Sequence, residues 1–195
     1  MIGVQPNTIT SSTGDVAKVE YDDKGRVTKS FRSDGTSINY VYNQANGDLL
    51  STTDTATHLS ESKTYDDYGN VLTHVDPHGL PTIYNYHATT GLLTSVQQRN
   101  GQVVGYLYTD LGQPRSVSLN TDGEILTSTT TYYPEGLVQS TLAPDGVEQV
   151  FTYDNAGNAL TAVTKKGVIT FSNDVYTVDV LNRLRSVTTM GGKYA

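Results

Sequence analysis

The chain has 195 residues and a formal net charge of -7, with 36% hydrophobic residues, 14 tyrosines and no tryptophan. A hydrophobic fraction below the usual ~45–50% excludes a thick aliphatic core, and the lack of a basic stripe argues against a nucleic-acid partner. The absence of cysteine excludes disulfides, thiolate metal ligands and thiol nucleophiles together. The sequence contains no apolar run of membrane-spanning length and no signal-peptide pattern at its N-terminus.

Residues 1–13 are polar, rich in Ser and Thr and without a clear period, and we assign them to a separate N-terminal segment. Residues 14–195 follow a pattern that predicts an array of about eight repeats of ~22 residues. Each repeat is marked by the motif Tyr-Asp-x-x-Gly, which is clearest at Tyr21–Gly25, Tyr65–Gly69 and Tyr153–Gly157.

The repeat motif defines one set of structural residues along the whole array. Its members are Tyr21, Asp22, Gly25, Tyr42, Gly47, Tyr65, Asp66, Gly69, Tyr86, Gly91, Tyr108, Gly112, Tyr132, Gly136, Tyr153, Asp154, Gly157 and Asn182. The steps between successive turn glycines, with Asn182 closing the series, are 22, 22, 22, 21, 24, 21 and 25 residues. Asn can replace Gly there because, after Gly, it tolerates a positive φ best.

A second series of turn residues lies between the tyrosine motifs. It consists of Gly14, Gly35, His58, Gly79, Gly101, Gly123, Gly146 and Gly167. Each repeat therefore holds two turns and two short strands, and links this short favour antiparallel neighbours over parallel crossovers. In the strand 36–42, Ile38, Tyr40 and Tyr42 alternate with polar residues, which is typical of a half-buried strand.

The turn residues predict two kinds of turn. Asp-Gly or Asn-Gly at 34–35, 100–101, 122–123 and 145–146 predicts tight primed turns, which need positive φ. The Tyr-Asp-x-x-Gly loop predicts a type I turn closed by a left-handed Gly, with the Asp side chain accepting a backbone N–H two residues on. We expect equivalent tyrosines of successive hairpins to stack in rows and to replace an aliphatic core.

Two stretches break the rhythm, and each is a candidate position for an inserted pocket. Residues 54–62 hold His58 where a turn Gly is due, and residues 168–182 run longer than other repeats, which predicts a bulge or a wider loop. Both stretches are short and poor in catalytic residue types.

Candidate catalytic and metal-binding patterns have a structural interpretation here. The acid pairs Asp22-Asp23 and Asp66-Asp67 lie inside the repeated turn, where a carboxylate caps backbone N–H groups. The spacing His74-x-x-x-His78 suits a metal on a helix, but here it spans a strand end and a Pro-Gly turn. We therefore predict a non-enzymatic protein with no catalytic residue, cofactor or metal. Rows of exposed tyrosines would instead support carbohydrate binding, which stays an alternative.

The motif Tyr-Asp-x-x-Gly-(Asn/Arg)-hydrophobic-x-Thr resembles the YD repeat of Rhs proteins, and the resemblance covers residues 14–189. That family includes bacterial polymorphic toxins, the C component of insecticidal toxin complexes, wall-associated proteins and teneurins. The resemblance implies an all-β fold in which repeated antiparallel β-hairpins form a single curved, spiralling sheet. It also implies a structural role as a shell segment that encapsulates or displays a toxin or effector.

Further expectations follow from the same resemblance. The implied partners are other shell segments or further copies of the chain, joined through edge strands, and an enclosed toxin polypeptide. The implied location is outside the cell or at its surface, and a cell-surface carbohydrate- or receptor-binding module is the alternative role. The stretch Asp76–Leu80 resembles part of the family's autocleavage core, but we interpret it as an ordinary repeat turn because the repeats continue after it.

Overall fold

The structure is a computed structural model and describes residues 8–10 and 16–191. The strands in this part of the chain are β1 (Thr8–Thr10), β2 (Val16–Tyr21), β3 (Val27–Phe31), β4 (Ser37–Tyr42), β5 (Leu49–Asp54), β6 (Ser60–Tyr65), β7 (Val71–Val75), β8 (Pro81–Tyr86), β9 (Leu93–Gln97), β10 (Val103–Tyr108), β11 (Pro114–Thr121), β12 (Glu124–Tyr132), β13 (Val138–Leu142), β14 (Val147–Tyr153), β15 (Ala159–Lys166), β16 (Ile169–Val178) and β17 (Leu184–Gly191). Gly14 of the second turn series lies outside the described residues.

The strands divide into two units. The first holds the chain up to Asn85 together with Val96–Gly101, and the second holds Tyr86–Ser95 and the chain from Gln102 onward. In the first unit each strand from β1 to β8 pairs with the next in antiparallel register. In the second unit the same holds from β10 to β17. The prediction of an all-β fold of repeated antiparallel hairpins is confirmed.

β1 lies within the segment that the sequence analysis assigned to a polar N-terminal region. Its three residues pair with β2, with Thr8 opposite Lys18 and Thr10 opposite Val16. This strand is too short to show a hydrophobic period, so the sequence pattern carries no signal for it.

The sheet has a thin buried face, as the low hydrophobic content predicts. Among the residues whose burial is described, Val19 at 7% exposure and Ser37 at 3% are the buried ones. Strand β6 shows the common arrangement, because Ser60, Ser62 and Thr64 are exposed while Tyr65 and the residues alternating with it are half-buried. Each hairpin therefore lacks a core of its own and depends on its neighbours for burial.

A β-bulge precedes the tyrosine of each motif whose pairing is described. The register shifts by one residue at Tyr21, Tyr42, Tyr65, Tyr108, Tyr132, Tyr153 and Val178, which takes the tyrosine position in the last repeat. Such a bulge adds one unpaired residue to one strand and increases the local twist. It lets the motif residue and the residue two positions after the turn glycine face each other, as Tyr65 and Val71 do.

The tyrosine turns have the predicted geometry. Gly69 has a φ of 86°, and its N–H donates to the carbonyl of Asp66 at 3.2 Å. Asn182 replaces glycine with a φ of 59°, and His58 occupies the glycine position of its own turn with a φ of 58°. The expectation that these two residues substitute for turn glycines is confirmed.

The primed-turn prediction is right at one of its four places. Asp122 and Gly123 both have positive φ, at 50° and 86°, and form a two-residue turn between Thr121 and Glu124. At 34–35, 100–101 and 145–146 only the glycine has positive φ, and its N–H bonds back three residues, so these turns are of the type I form with a left-handed Gly. A dipeptide alone does not distinguish the two forms, because both need a left-handed glycine.

The predicted irregularity at 168–182 is a bulge. Thr164 faces Ser172 while Lys165 faces Thr170, which leaves Phe171 as the extra residue on β16. The preceding turn is a two-residue turn with Gly167 at a φ of 57°. Neither this stretch nor 54–62 contains an inserted loop, because both are occupied by strands and regular turns.

Candidate functional site

The tyrosine turns lie along one end of the strands in each unit, and Asp66 shows how the turns that contain the motif aspartate are built. Its backbone N–H donates to the carbonyl of Asn70, and its Oδ1 accepts the backbone N–H groups of Tyr68 at 2.9 Å and Asn70 at 2.8 Å. Its Oδ2 accepts from Nδ2 of Asn70 at 2.8 Å. One carboxylate thus satisfies the donors that the turn leaves unpaired.

The same construction recurs in other turns. Asp154 accepts from the N–H groups of Ala156 and Asn158 and from Nδ2 of Asn158. Asp22 and Asp179 accept from an arginine, whose Nε donates to Oδ2 at 2.7 Å in both turns. The acidic residues of the repeat motif therefore lie in structural turns, which is where the sequence interpretation of the Asp22-Asp23 and Asp66-Asp67 pairs placed them.

These hydrogen bonds lower the pKa of the turn carboxyls. Donation from the Asn70 side chain lowers the pKa of Asp66, and the Asn158 side chain does the same for Asp154. At Asp22, desolvation raises the pKa but is outweighed by hydrogen bonds from Arg26 and Lys24, so the net shift is downward. Each shift reflects a carboxylate that is better solvated by the turn than by water.

At five steps along the array, the residue that follows the turn glycine reaches the glycine position of the next turn. Nδ2 of Asn158 donates to Oδ1 of Asn182 at 3.1 Å, and Nε2 of Gln113 donates to the carbonyl of Gly136 at 2.9 Å. In three further pairs, the side chain that follows one turn glycine lies beside the glycine of the next turn. A Cβ atom built on that second glycine would lie 3.7 to 3.9 Å from the side chain. The pairs are Arg26 and Gly47, Leu92 and Gly112, and Leu137 and Gly157. These contacts run without a gap from Leu92 to Asn182 in the second unit, whereas a Cβ added at Gly69 in the first unit would meet no atom within 4 Å. The motif pattern did not reveal the contacts because their residue types vary.

Arg26 makes the most extensive of these contacts. It pairs with Asp22, and its guanidinium carbon lies 4.7 Å from the centroid of the Tyr42 ring. It also donates to the carbonyl of Asn43 at 3.2 Å and to Oε1 of Gln44 at 2.9 Å. One side chain thereby joins the first tyrosine turn to the second through charge, stacking and hydrogen bonds.

Three of the motif tyrosines donate hydrogen bonds from their hydroxyls to the backbone of a neighbouring hairpin. The hydroxyls of Tyr65, Tyr108 and Tyr132 donate to the carbonyls of Leu49, Leu93 and Pro114, at 2.8, 2.8 and 2.6 Å. Each acceptor lies two residues after the turn glycine of the preceding hairpin. A ring contact is seen between Tyr133 and Tyr153, whose centroids are 6.1 Å apart in an edge-to-face arrangement. A tyrosine hydroxyl at the tip of the ring can reach the backbone of the neighbouring hairpin, and the sequence pattern gives no sign of this contact.

The other end of the strands carries ion pairs between successive turns. Arg32 binds Asp54 with both guanidinium nitrogens, at 3.1 and 2.7 Å, and Arg99 binds Oδ2 of Asp76 at 3.2 Å. The pairing with Arg32 lowers the pKa of Asp54 to about 2. Both kinds of turn are thus linked to the next turn of their own series.

The face opposite the tyrosines carries paired hydroxyls. The residue before the motif tyrosine meets a residue nine positions later, with oxygen–oxygen distances of 2.6 to 2.9 Å: Thr64 and Thr73, Thr131 and Ser140, Thr152 and Thr161, Thr177 and Ser186. This face is polar at these positions. It is interrupted by Val41 and Leu107, which are 52% and 55% exposed.

The histidine pattern does not bring its two members together. His74 lies 3.2 Å from Oε2 of Glu61, whose other oxygen accepts from Thr52, whereas His78 lies in the turn after β7. Hydrogen bonding to His74 lowers the pKa of Glu61. In the described part of the chain, no group of three His, Cys, Asp or Glu side chains is arranged to hold a metal ion.

The stretch Asp76–Leu80 forms an ordinary turn, as its sequence interpretation predicted. Oδ1 of Asp76 accepts the N–H groups of His78 at 2.8 Å and Leu80 at 3.0 Å, and Gly79 has a φ of 79°. This is the geometry of the tyrosine turns, built here in the second series. Hydrogen bonding from the Leu80 backbone lowers the pKa of Asp76.

Open grooves lie between successive tyrosine turns. One of about 740 Å³ is lined by Tyr133, Glu135, Tyr153 and Asn155, and another of about 670 Å³ by His87, Tyr106, Tyr108 and Leu111. Because a similar groove recurs at different turns, it is a product of the repeat and not a dedicated pocket. Of the described residues, none form a helix long and apolar enough to cross a membrane.

Comparison with solved structures identifies the fold. The chain is similar to the crystal structure of TcdB2-TccC3, with a TM-score of 0.58, 14% identity, and coverage of 96% of this chain and 12% of that one. It is also similar to the structure of the Photorhabdus luminescens Tc holotoxin pore and to the crystal structure of TcdB2-TccC3-Cdc42, both with a TM-score of 0.56, 14% identity and the same coverage.

The chain spans about an eighth of the length of these proteins, so the similarity concerns the fold of the repeat segment. No family model matches the sequence, and no curated protein matches it. The similarity agrees with the Rhs and YD-repeat resemblance that the motif indicated.

The tyrosine hydroxyl bond predicts a measurable loss of stability on its removal. Tyr108→Phe removes the donor to the Leu93 carbonyl and keeps the ring, so we expect the free energy of unfolding to fall by about 0.5–1.5 kcal/mol. The control is Tyr68→Phe, because Tyr68 is 87% exposed and we expect no measurable change there. Urea unfolding followed by circular dichroism measures both, and equal midpoints would contradict the role assigned to the hydroxyl.

The lowered pKa of Asp54 predicts a loss of stability in acid. A group whose pKa is lower in the folded state stabilises the fold above its unfolded pKa, and the contribution disappears as the pH falls through the folded pKa. For Asp54 that window runs from the ordinary value of 3.8 down to about 2. We expect the urea midpoint to fall less steeply across this window in Asp54→Asn than in the wild type. Asp67→Asn, an exposed aspartate, should keep the wild-type slope, and parallel slopes for all three proteins would contradict the prediction.

Proposed function

We propose that this chain is a non-catalytic structural segment of a β-repeat shell that encloses or displays an effector polypeptide. The observation that carries the proposal is the unbroken series of contacts between tyrosine turns from Leu92 to Asn182, together with a fold shared with part of the crystal structure of TcdB2-TccC3. A site of catalysis or specific binding would need residues that depart from the repeat, whereas the described turns follow it closely.

The polar face supports this role. The hydroxyls of this face form hydrogen bonds in pairs across neighbouring strands. The face therefore presents polar groups to an enclosed polypeptide and few apolar side chains to which it could bind. The net charge of -7 and the dispersed acidic turns suit a protein that works outside the cell or at its surface. The partners we propose are further shell segments or copies of this chain, joined through edge strands, and the enclosed polypeptide.

Light scattering after size-exclusion chromatography, over a range of protein concentrations, tests the structural role. We expect the mass to rise in multiples of the 21.1 kDa protomer, because an open strand edge pairs with another strand. A glycan array probed with the same protein should give no saturable binding. A protomer mass at every concentration, together with glycan binding that Tyr153→Ala abolishes, would contradict the proposal and favour a carbohydrate-binding module.

A further inference from the structure

The last tyrosine turn is built like the first. In both turns an arginine follows the left-handed residue, as Arg26 follows Gly25 and Arg183 follows Asn182. Both arginines donate from Nε to the aspartate Oδ2 at 2.7 Å, and both place a second nitrogen close to that oxygen, at 2.6 Å for Arg26 and 2.7 Å for Arg183. The local structure that orients the guanidinium is therefore the same at the two turns.

The two arginines differ in what covers them. The Arg26 side chain is 17% exposed, because the next turn packs on it through Tyr42, Asn43 and Gln44. The Arg183 side chain is 73% exposed, and among the described residues the guanidinium contacts given are with Asp179. Asp179 fixes the orientation of the Arg183 guanidinium and leaves its other side exposed. That side can bind a planar aromatic ring and an oxygen acceptor.

β17, the strand that follows the turn of Arg183, is exposed as well. Every residue of β17 is exposed, whereas every residue of β3 and β7, which follow tyrosine turns inside the array, is half-buried. Leu184, Val187 and Met190 are 63%, 48% and 55% exposed. Leu184 lies two residues after the turn position, where the carbonyls of Leu49, Leu93 and Pro114 accept a tyrosine hydroxyl from the next hairpin.

We propose that the exposed edge formed by Arg183 and β17 is a docking site for a tyrosine-turn β-hairpin of another shell segment. The occupant presents an edge strand that ends in Tyr, followed by a turn whose carbonyl and amide oxygens accept from Arg183. We choose a tyrosine-turn hairpin as the occupant because the hairpin β4–β5 makes the same contacts with Arg26, the equivalent arginine of the first turn. The inference deepens the proposed structural role and rests on it, since it names the surface through which one segment joins the next.

A peptide copied from the chain tests the docking site directly. The probe is the sequence of residues 37–54, closed into a ring by a short linker that carries fluorescein and fixes the hairpin. Fluorescence anisotropy with the full chain, at a concentration where light scattering gives the protomer mass, should show saturable binding. Arg183→Ala should weaken it roughly tenfold, as expected for a charge-assisted contact with a ring and an acceptor.

The matched control is Arg115→Ala, which removes the same charge from an exposed residue of β11, outside the proposed edge, and should leave binding within about twofold of the wild type. A peptide with Gln44→Ala should also bind less tightly, and this change leaves the protein itself unaltered. Binding that is absent, or weakened equally by Arg183→Ala and Arg115→Ala, would overturn the proposal. These outcomes are independent of the light-scattering masses and the glycan-array result that test the proposed structural role.

Discussion

The structure depends on contacts between one turn and the next. A two-stranded hairpin with one half-buried face is marginal in water, and the described hairpins bury few side chains below a tenth of their surface. The turns at Asp22 and Asp154 are therefore stabilised twice, first internally by the aspartate that accepts their N–H groups and then externally by the contact of Arg26 or Asn158 with the next turn. The tyrosine hydroxyls add a third link, from one hairpin to the backbone of the preceding one.

Much of this arrangement could be predicted from the sequence. The period of ~22 residues, the left-handed positions including His58 and Asn182, and the Asp carboxylate that accepts turn N–H groups all follow from residue types with strong local preferences. Such preferences act within four or five residues, so they can be recognised in the sequence without knowing which hairpins are neighbours in the fold. The bulge at Phe171 was predictable for the same reason, because an extra residue in a fixed period has to leave the register somewhere.

The contacts between hairpins could not be predicted in the same way. The residue after the turn glycine is Arg, Leu, Gln or Asn in different repeats, so no single residue type marks the row. The hydroxyl bonds of Tyr65 and Tyr108 to backbone carbonyls were not predicted, because the expectation for the tyrosines concerned contacts between rings. Arg26 and Arg183 have the same local sequence position, and only the structure shows that one is covered and the other is exposed.

Hydrogen exchange of the turn amides, measured residue by residue by NMR, tests the central claim most directly. The amides of Lys24, Tyr68, Ala156 and Leu181 each donate to an aspartate Oδ1 at 2.8 to 3.0 Å, and the account predicts that all four exchange at least about tenfold more slowly than in an unfolded chain. Slow exchange confined to strand amides, with these four turn amides at the unfolded rate, would contradict the claim that the turns hold the array together.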